Sequence, residues 1–221
     1  MSSVHPESRK EFQLERMILF SDAVFAIAIT LLIIEIKVPE IHGAGLSESA
    51  LVSAVLHLMP KLAGFFISFM LIGMYWTRHH FLFGFLVDYT PALLWLNLLF
   101  LLSIVLMPFS TGIFGEYSVP SAIYLKTPLI IYVANVCFSG FMLYLLWRYV
   151  GNPDHGVADP SLHPSIVHDA KVRAGLVTIV FALTIGVAFI NPWIARYFPI
   201  IIPLALRAAK RMRRRRAAAE Q

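Results

Sequence analysis

Residues 16–38 read RMILFSDAVFAIAITLLIIEIKV. The stretch is long and apolar enough to span a bilayer, whose hydrocarbon core of about 30 Å needs roughly 20 residues of helix. Yet Asp22 stands one to two turns inside it, directly after Ser21. A carboxylate at the centre of a membrane helix costs about 2.5–3.5 kcal/mol. A chain that keeps one there must use it.

The remainder of the chain has the same character. Of 221 residues, 58% are hydrophobic and 14% charged, and mean hydropathy is +0.74; soluble domains carry about 25% charged residues. The apolar residues come in runs too long for a soluble core, which makes this an all-α integral membrane protein. One cysteine, Cys137, excludes an internal disulfide and any cysteine-built zinc or iron–sulfur site. Residues 1–15 are polar and mixed in charge, and Glu35 and Lys37 follow the first apolar run where a signal peptide would place small residues. The first run therefore reads as a retained helix.

Six spans are expected, at about 17–38, 51–77, 91–110, 121–147, 171–190 and 193–207. Pro60 should kink the second or mark its true start, Pro91 suits a first helical turn, and Pro128 lies in the fourth. Asn191-Pro192 ends the fifth, and Pro199 and Pro203 interrupt the sixth. Residues 1–16 are then an N-terminal segment, 17–207 a six-helix transmembrane domain, and 208–221 a basic tail. Six spans put both termini on one side. Fourteen of the eighteen lysines and arginines fall on that side, leaving only Lys37, Lys61, Lys126 and Arg196 on the other. By the positive-inside rule both termini are cytoplasmic.

The run from Arg207 to Arg216 reads as a basic stop attracted to anionic lipid headgroups rather than a nucleic-acid patch. Residues 150–168, rich in Gly, Pro and Asp, form an irregular cytoplasmic linker. Its histidines, His155, His163 and His168, are eight and five residues apart and fit no compact metal motif.

Ionisable and amide residues inside spans are the functional candidates. Span 1 has Ser21, Asp22 and Thr30; span 2 ends in YWTRHH, with Trp76, His79 and His80; span 3 has Asn97 and Ser103; span 4 has Asn135. Arg16 and Asp22 are six residues apart and do not pair on one helix face, so Asp22 needs partners from another helix. A histidine from 79–80 and Asn97 lie at similar depth. Either these groups clamp helices 1 to 3 together, or Asp22 lines a water-filled ion entrance. Ile27, Thr30, Leu31 and Ile34 follow i, i+3, i+4, i+7 and share a stripe. Such a stripe suits ordinary helix packing; if helix 1 met its own copies around an axis, it would form a narrow hydrophobic constriction.

Arg16 with Phe20-Ser21-Asp22, followed by AVFAIAITLL, resembles the signature of the transmembrane protein 175 family. So do YWTRHHFLF at 75–83, LLWLNLLFLL at 93–102, LMPFST at 106–111 and LLWRY at 145–149. This resemblance implies a potassium-permeable channel, lysosomal and endosomal in animals and of the plasma membrane in prokaryotes, with one six-helix repeat per prokaryotic chain and a homotetrameric pore lined by the first helix. It implies the constriction at Ile27, further aliphatic layers at Leu31 and Ile34, and an ion-coordinating role for Thr30. It also implies that Trp76, His79 and Asn97 brace the motif around Arg16, Phe20, Ser21 and Asp22. No TVGYG filter, and hence no re-entrant filter loop, is present. No cofactor is expected beyond K+ as permeant ion. The competing reading is a proton-conducting or cation/proton-exchanging transporter that uses Asp22 with His79 and His80, since histidine titrates near neutrality. An enzyme is disfavoured: HExxH, GxSxG and glycine-rich phosphate loops are missing.

Overall fold

The computed structural model describes residues 6–41, 47–119, 121–202, 204–209 and 211. Its helices are α1 (Pro6–Ile34), α2 (Glu48–His57), α3 (Met59–Phe83), α4 (Pro91–Val105), α5 (Met107–Glu116), α6 (Thr127–Val150), α7 (Pro164–Ile190) and α8 (Pro192–Tyr197). Five segments are long and apolar enough to cross a membrane: Lys10–Ile34, Met59–Phe83, Pro91–Glu116, Thr127–Val150 and Pro164–Ile190. α6 lies along α4, α5 and α7, while α1 packs on α3, α4 and α5.

Proline sets the starts. Every helix from α3 to α8 carries Pro in its first two positions, where the missing N–H would have had no intrahelical acceptor anyway. The second expected span accordingly divides at Leu58: Pro60 opens α3, and the short α2 before it buries no residue. The third span bends at Leu106, because Pro108 opens α5 within the continuous segment Pro91–Glu116. The fourth starts at Thr127 rather than near 121, again with proline in the first turn. α1 is already helical at Pro6, well before the apolar run begins, since polar residues can continue a helix beyond its membrane-facing part.

The sixth expected span is irregular. α8 gives way to a 3-10 turn at Phe198–Ile201, and residue 202 and residues 204–209 are again helical; Pro203 lies outside the described residues. Arg196 Nη1 donates to Ser118 Oγ at 2.6 Å, beyond the end of α5. Arg207 lines a cavity with Arg78 and Arg173, near the end of α3 and the start of α7. The segment therefore returns along the bundle from one end toward the other. The tail beyond Arg211, including Arg213 to Arg216, lies outside the described residues.

Basic residues sort by end. Where α1 finishes, Glu35 lies against Gly112, Lys61 Nζ is 2.5 Å from Glu116 Oε2, and Lys126 sits over the Phe189 ring. At the opposite end Lys10 pairs with Asp88 at 2.6 Å. There the 150–163 linker folds back on the α3–α4 connection, with Val87 N donating to Val157 O and Asp159 N to Phe85 O. Gly156, at φ +63°, makes the reversal that L side chains resist. His155 stacks on Tyr149, His163 caps α7, and His168 is exposed on α7, so the three sit in separate surroundings.

Candidate functional site at the start of the first span

α1 has two faces. Leu14, Met17, Ser21, Phe25, Ala28 and Leu32 are buried, spaced by three or four residues as one helical face requires. Ile27, Thr30, Leu31 and Ile34 are exposed. At 3.6 residues per turn the two sets are centred roughly 130° apart. Ile27 and Ile34 are 59% and 68% exposed, against 1% for Ala28 and Leu32. Thr30 Oγ1 donates to Ile27 O at 2.8 Å, which satisfies its proton and leaves oxygen lone pairs on the exposed stripe.

The buried face carries the polar residues. Asn97 Nδ2 donates to Ser21 Oγ at 2.9 Å, and Ser21 Oγ donates to Met17 O at 2.9 Å. Asn97 Oδ1 lies 2.9 Å from His79 Nε2. With the Asn97 amide donating to Ser21, its Oδ1 is the acceptor, so His79 carries a proton on Nε2. The chain from His79 through Asn97 and Ser21 to Met17 joins α3, α4 and α1. Ser21, His79 and Asn97 are each at most 2% exposed, and an unpartnered polar group at such depth would cost about 1–3 kcal/mol. The His79 ring lies between Phe83 and Phe100, at centroid distances of 3.8 and 5.3 Å.

Asp22 sits beside this chain and uses a different partner: Trp76 Nε1 donates to its Oδ1 at 2.9 Å. One turn further along α3, His80 is exposed and stacks loosely on Trp76 at 5.5 Å. The two histidines thus face different surroundings, His79 inward on Asn97 and His80 outward beside Trp76. Arg16 and Phe20 are not drawn into either set. Arg16 is exposed above the Phe12 ring, and Phe20 is 53% exposed.

A second polar layer deeper along the bundle joins Asn135 and Ser103, which the sequence singles out, to Ser68, Thr111 and Tyr132, which it does not. Thr111 and Tyr132 hydroxyls lie 2.7 and 3.1 Å from Ser68 Oγ, joining α5, α6 and α3. Asn135 Nδ2 donates to Ser103 O at 3.1 Å, tying α6 to α4. The available signal was the presence of Ser68, Thr111 and Tyr132 within apolar runs, where each hydroxyl needs a partner.

A family model described as the endosomal/lysosomal potassium channel TMEM175 matches residues 16–108, the stretch that holds the His79–Asn97–Ser21 chain and the Asp22–Trp76 pair. A protein named a potassium channel from Streptomyces collinus is 33% identical over 178 residues, covering 78% of this chain and 81% of the relative. Another so named, from Chamaesiphon minutus, is 31% identical over 208 residues, covering 91% of this chain and 98% of the relative. The crystal structure of a lysosomal potassium-selective channel TMEM175 homolog from Chamaesiphon minutus superimposes with a TM-score of 0.69 at 29% identity, covering 90% of this chain and 97% of that one. These relatives are named as channels rather than enzymes. The chain described here belongs to the TMEM175 family.

Proposed function

We propose that this protein is a potassium-permeable channel whose pore forms where the α1 helices of four copies meet. The observation that carries this reading is the division of α1 into a pinned face and an exposed stripe. Ile72, Leu82, Phe100, Ile104, Met107, Val136 and Leu146 are all fully buried, so the bundle interior is close-packed. An ion path then belongs on a face between copies. The face of α1 that bears Ile27, Thr30, Leu31 and Ile34 suits that position, and relatives named as potassium channels support the channel reading.

In this arrangement Ile27 forms the narrowest ring, with Leu31 and Ile34 as further aliphatic layers and Thr30 presenting oxygen lone pairs between them. A hydrophobic constriction obstructs ions through the cost of shedding water. Sodium holds its hydration shell more tightly than potassium, so the neck penalises sodium more and gives a modest preference for potassium. The hydrogen bonds at Ser21 and Asp22 hold α1 at a fixed rotation so that the stripe faces the axis. Residues 17–207 act as the channel unit with the irregular returning segment as a sixth crossing. The termini are cytoplasmic in a prokaryotic plasma membrane, and the basic tail rests on anionic headgroups.

Two measurements test this reading. Purified protein in liposomes should release potassium down its gradient. In a Cys137→Ser background, Ile34→Cys should cross-link copies under mild oxidation, while Phe66→Cys, on the outer face of α3, should not. Well-inserted protein that passes no potassium, or cross-links equally at both positions, contradicts it.

A further inference from the structure

We propose that the cavity between α3, α6, α7 and the returning C-terminal segment is a binding site for one anionic phospholipid. The cavity measures about 600 Å³ and is lined by apolar groups, including Phe81, Leu143, Val177 and Leu206. That volume is within the range of about 300–1,000 Å³ typical of ligand sites. Arg78 from α3, Arg173 from α7 and Arg207 from the returning segment converge on it from three separate elements. Asp169 is also on the lining, so three arginines against one aspartate leave two net positive charges. All three arginines are exposed, which keeps their guanidinium groups within reach of a headgroup.

The combination selects the ligand. Arginine forks bind phosphate oxygens bidentately, which accounts for an anionic headgroup. An apolar floor beside a lipid-facing helix surface accounts for an acyl chain, which a free phosphate lacks. Basic pockets between membrane helices, on the side favoured by lysine and arginine, recognise such lipids. A bound lipid would join the end of α3, two residues beyond Trp76, to α7 and the C-terminal segment. This assignment does not depend on where ions pass.

The test is native mass spectrometry of the intact protein released from detergent with dioleoylphosphatidylglycerol or dioleoylphosphatidylcholine. Phosphatidylglycerol should be retained in preference to phosphatidylcholine. Each arginine near an anionic headgroup contributes on the order of fivefold, so Arg78→Gln with Arg173→Gln should weaken retention roughly twenty-five-fold. The charge-matched pair Arg16→Gln with Arg148→Gln, both exposed and off the cavity lining, should stay close to wild type. Val177→Trp, which fills the cavity and leaves every arginine in place, should also lower retention, so the result does not hinge on one variant folding. Millimolar inorganic phosphate should not displace the lipid. Equal retention of the two lipids, equal losses in the two arginine pairs, full retention by Val177→Trp, or displacement by phosphate would each overturn the proposal.

Discussion

Trp76 holds Asp22: the indole N–H of α3 donates to the carboxylate of α1 across 2.9 Å. The bond gives the costly carboxylate of the first span a partner. Trp76→Phe keeps the aromatic packing and removes the donor. Interhelical hydrogen bonds in membrane proteins contribute about 0.6–2 kcal/mol, so this variant should lose about 1 kcal/mol of unfolding stability in detergent. Asp22→Asn, which keeps an acceptor oxygen, should lose less. Equal stability of Trp76→Phe and wild type would mean the contact contributes nothing.

Asn97 should matter more than Trp76, because it satisfies two buried partners at once. Asn97→Leu strands His79 Nε2 and removes the donor to Ser21 Oγ, which keeps its own bond to Met17 O; a buried polar group left unpaired costs about 1–3 kcal/mol. A loss of about 2 kcal/mol is expected. In a double-mutant cycle, His79→Phe with Asn97→Leu should be milder than the sum of the singles, since the second change removes a group the first left unpaired. Additive losses would show that the two residues are not coupled.

Close packing of α6 on α7 depends on Gly140, where an added Cβ would collide with Thr178 Oγ1. Overpacking of this kind costs about 1–3 kcal/mol. Gly140→Ala should therefore lower the melting temperature, and Thr178→Ala in the same chain should restore most of it. Failure of the second change to rescue the first would place the strain elsewhere.

The Lys10–Asp88 pair gives a pH dependence. The hydrogen bond from Lys10, aided by the Tyr89 backbone N–H, holds the Asp88 carboxyl below the usual carboxylate range. A carboxyl whose folded pKa is depressed stabilises the fold above its unfolded value, about 3.9, and that contribution fades as pH falls through the folded pKa. The stability gap between wild type and Asp88→Asn should be small, because exposed pairs contribute little. It should be flat from pH 7 to 5 and narrow below about pH 4. A gap that widens on acidification would reverse the assignment.

These residues also show what the sequence could and could not convey. Ser21, Asp22, His79 and Asn97 stood out because polar groups are expensive in a membrane and must find partners, though Asp22 finds the Trp76 indole rather than the histidine and amide expected at its depth. Ser68, Thr111 and Tyr132 are 43 and 64 residues apart in their pairings, and hydroxyls are common enough in membrane helices to hide among apolar residues. Arg16 and Phe20 adjoin the polar residues in sequence. One step along a helix turns a side chain by about 100°, however, so Phe20 is carried away from the buried face that Ser21 occupies. Pro60 announced its helix start. Pro108 breaks α4 from α5 inside a segment apolar enough to read as one span, so hydropathy alone passes over the break. The return of the chain past Arg196 is legible in the sixth apolar run, but no local pattern brings Arg78, Arg173 and Arg207 to one cavity.

The central claim is that ions pass along the Ile27 stripe. Its most direct test is the potassium/sodium reversal potential and current of Ile27→Asn beside wild type, in planar bilayers under bi-ionic conditions. The account predicts larger current and a reversal potential shifted toward zero for Ile27→Asn, because a polar ring lowers the dehydration cost that favours potassium. Unchanged current and unchanged reversal potential in a folded, inserted variant would contradict it.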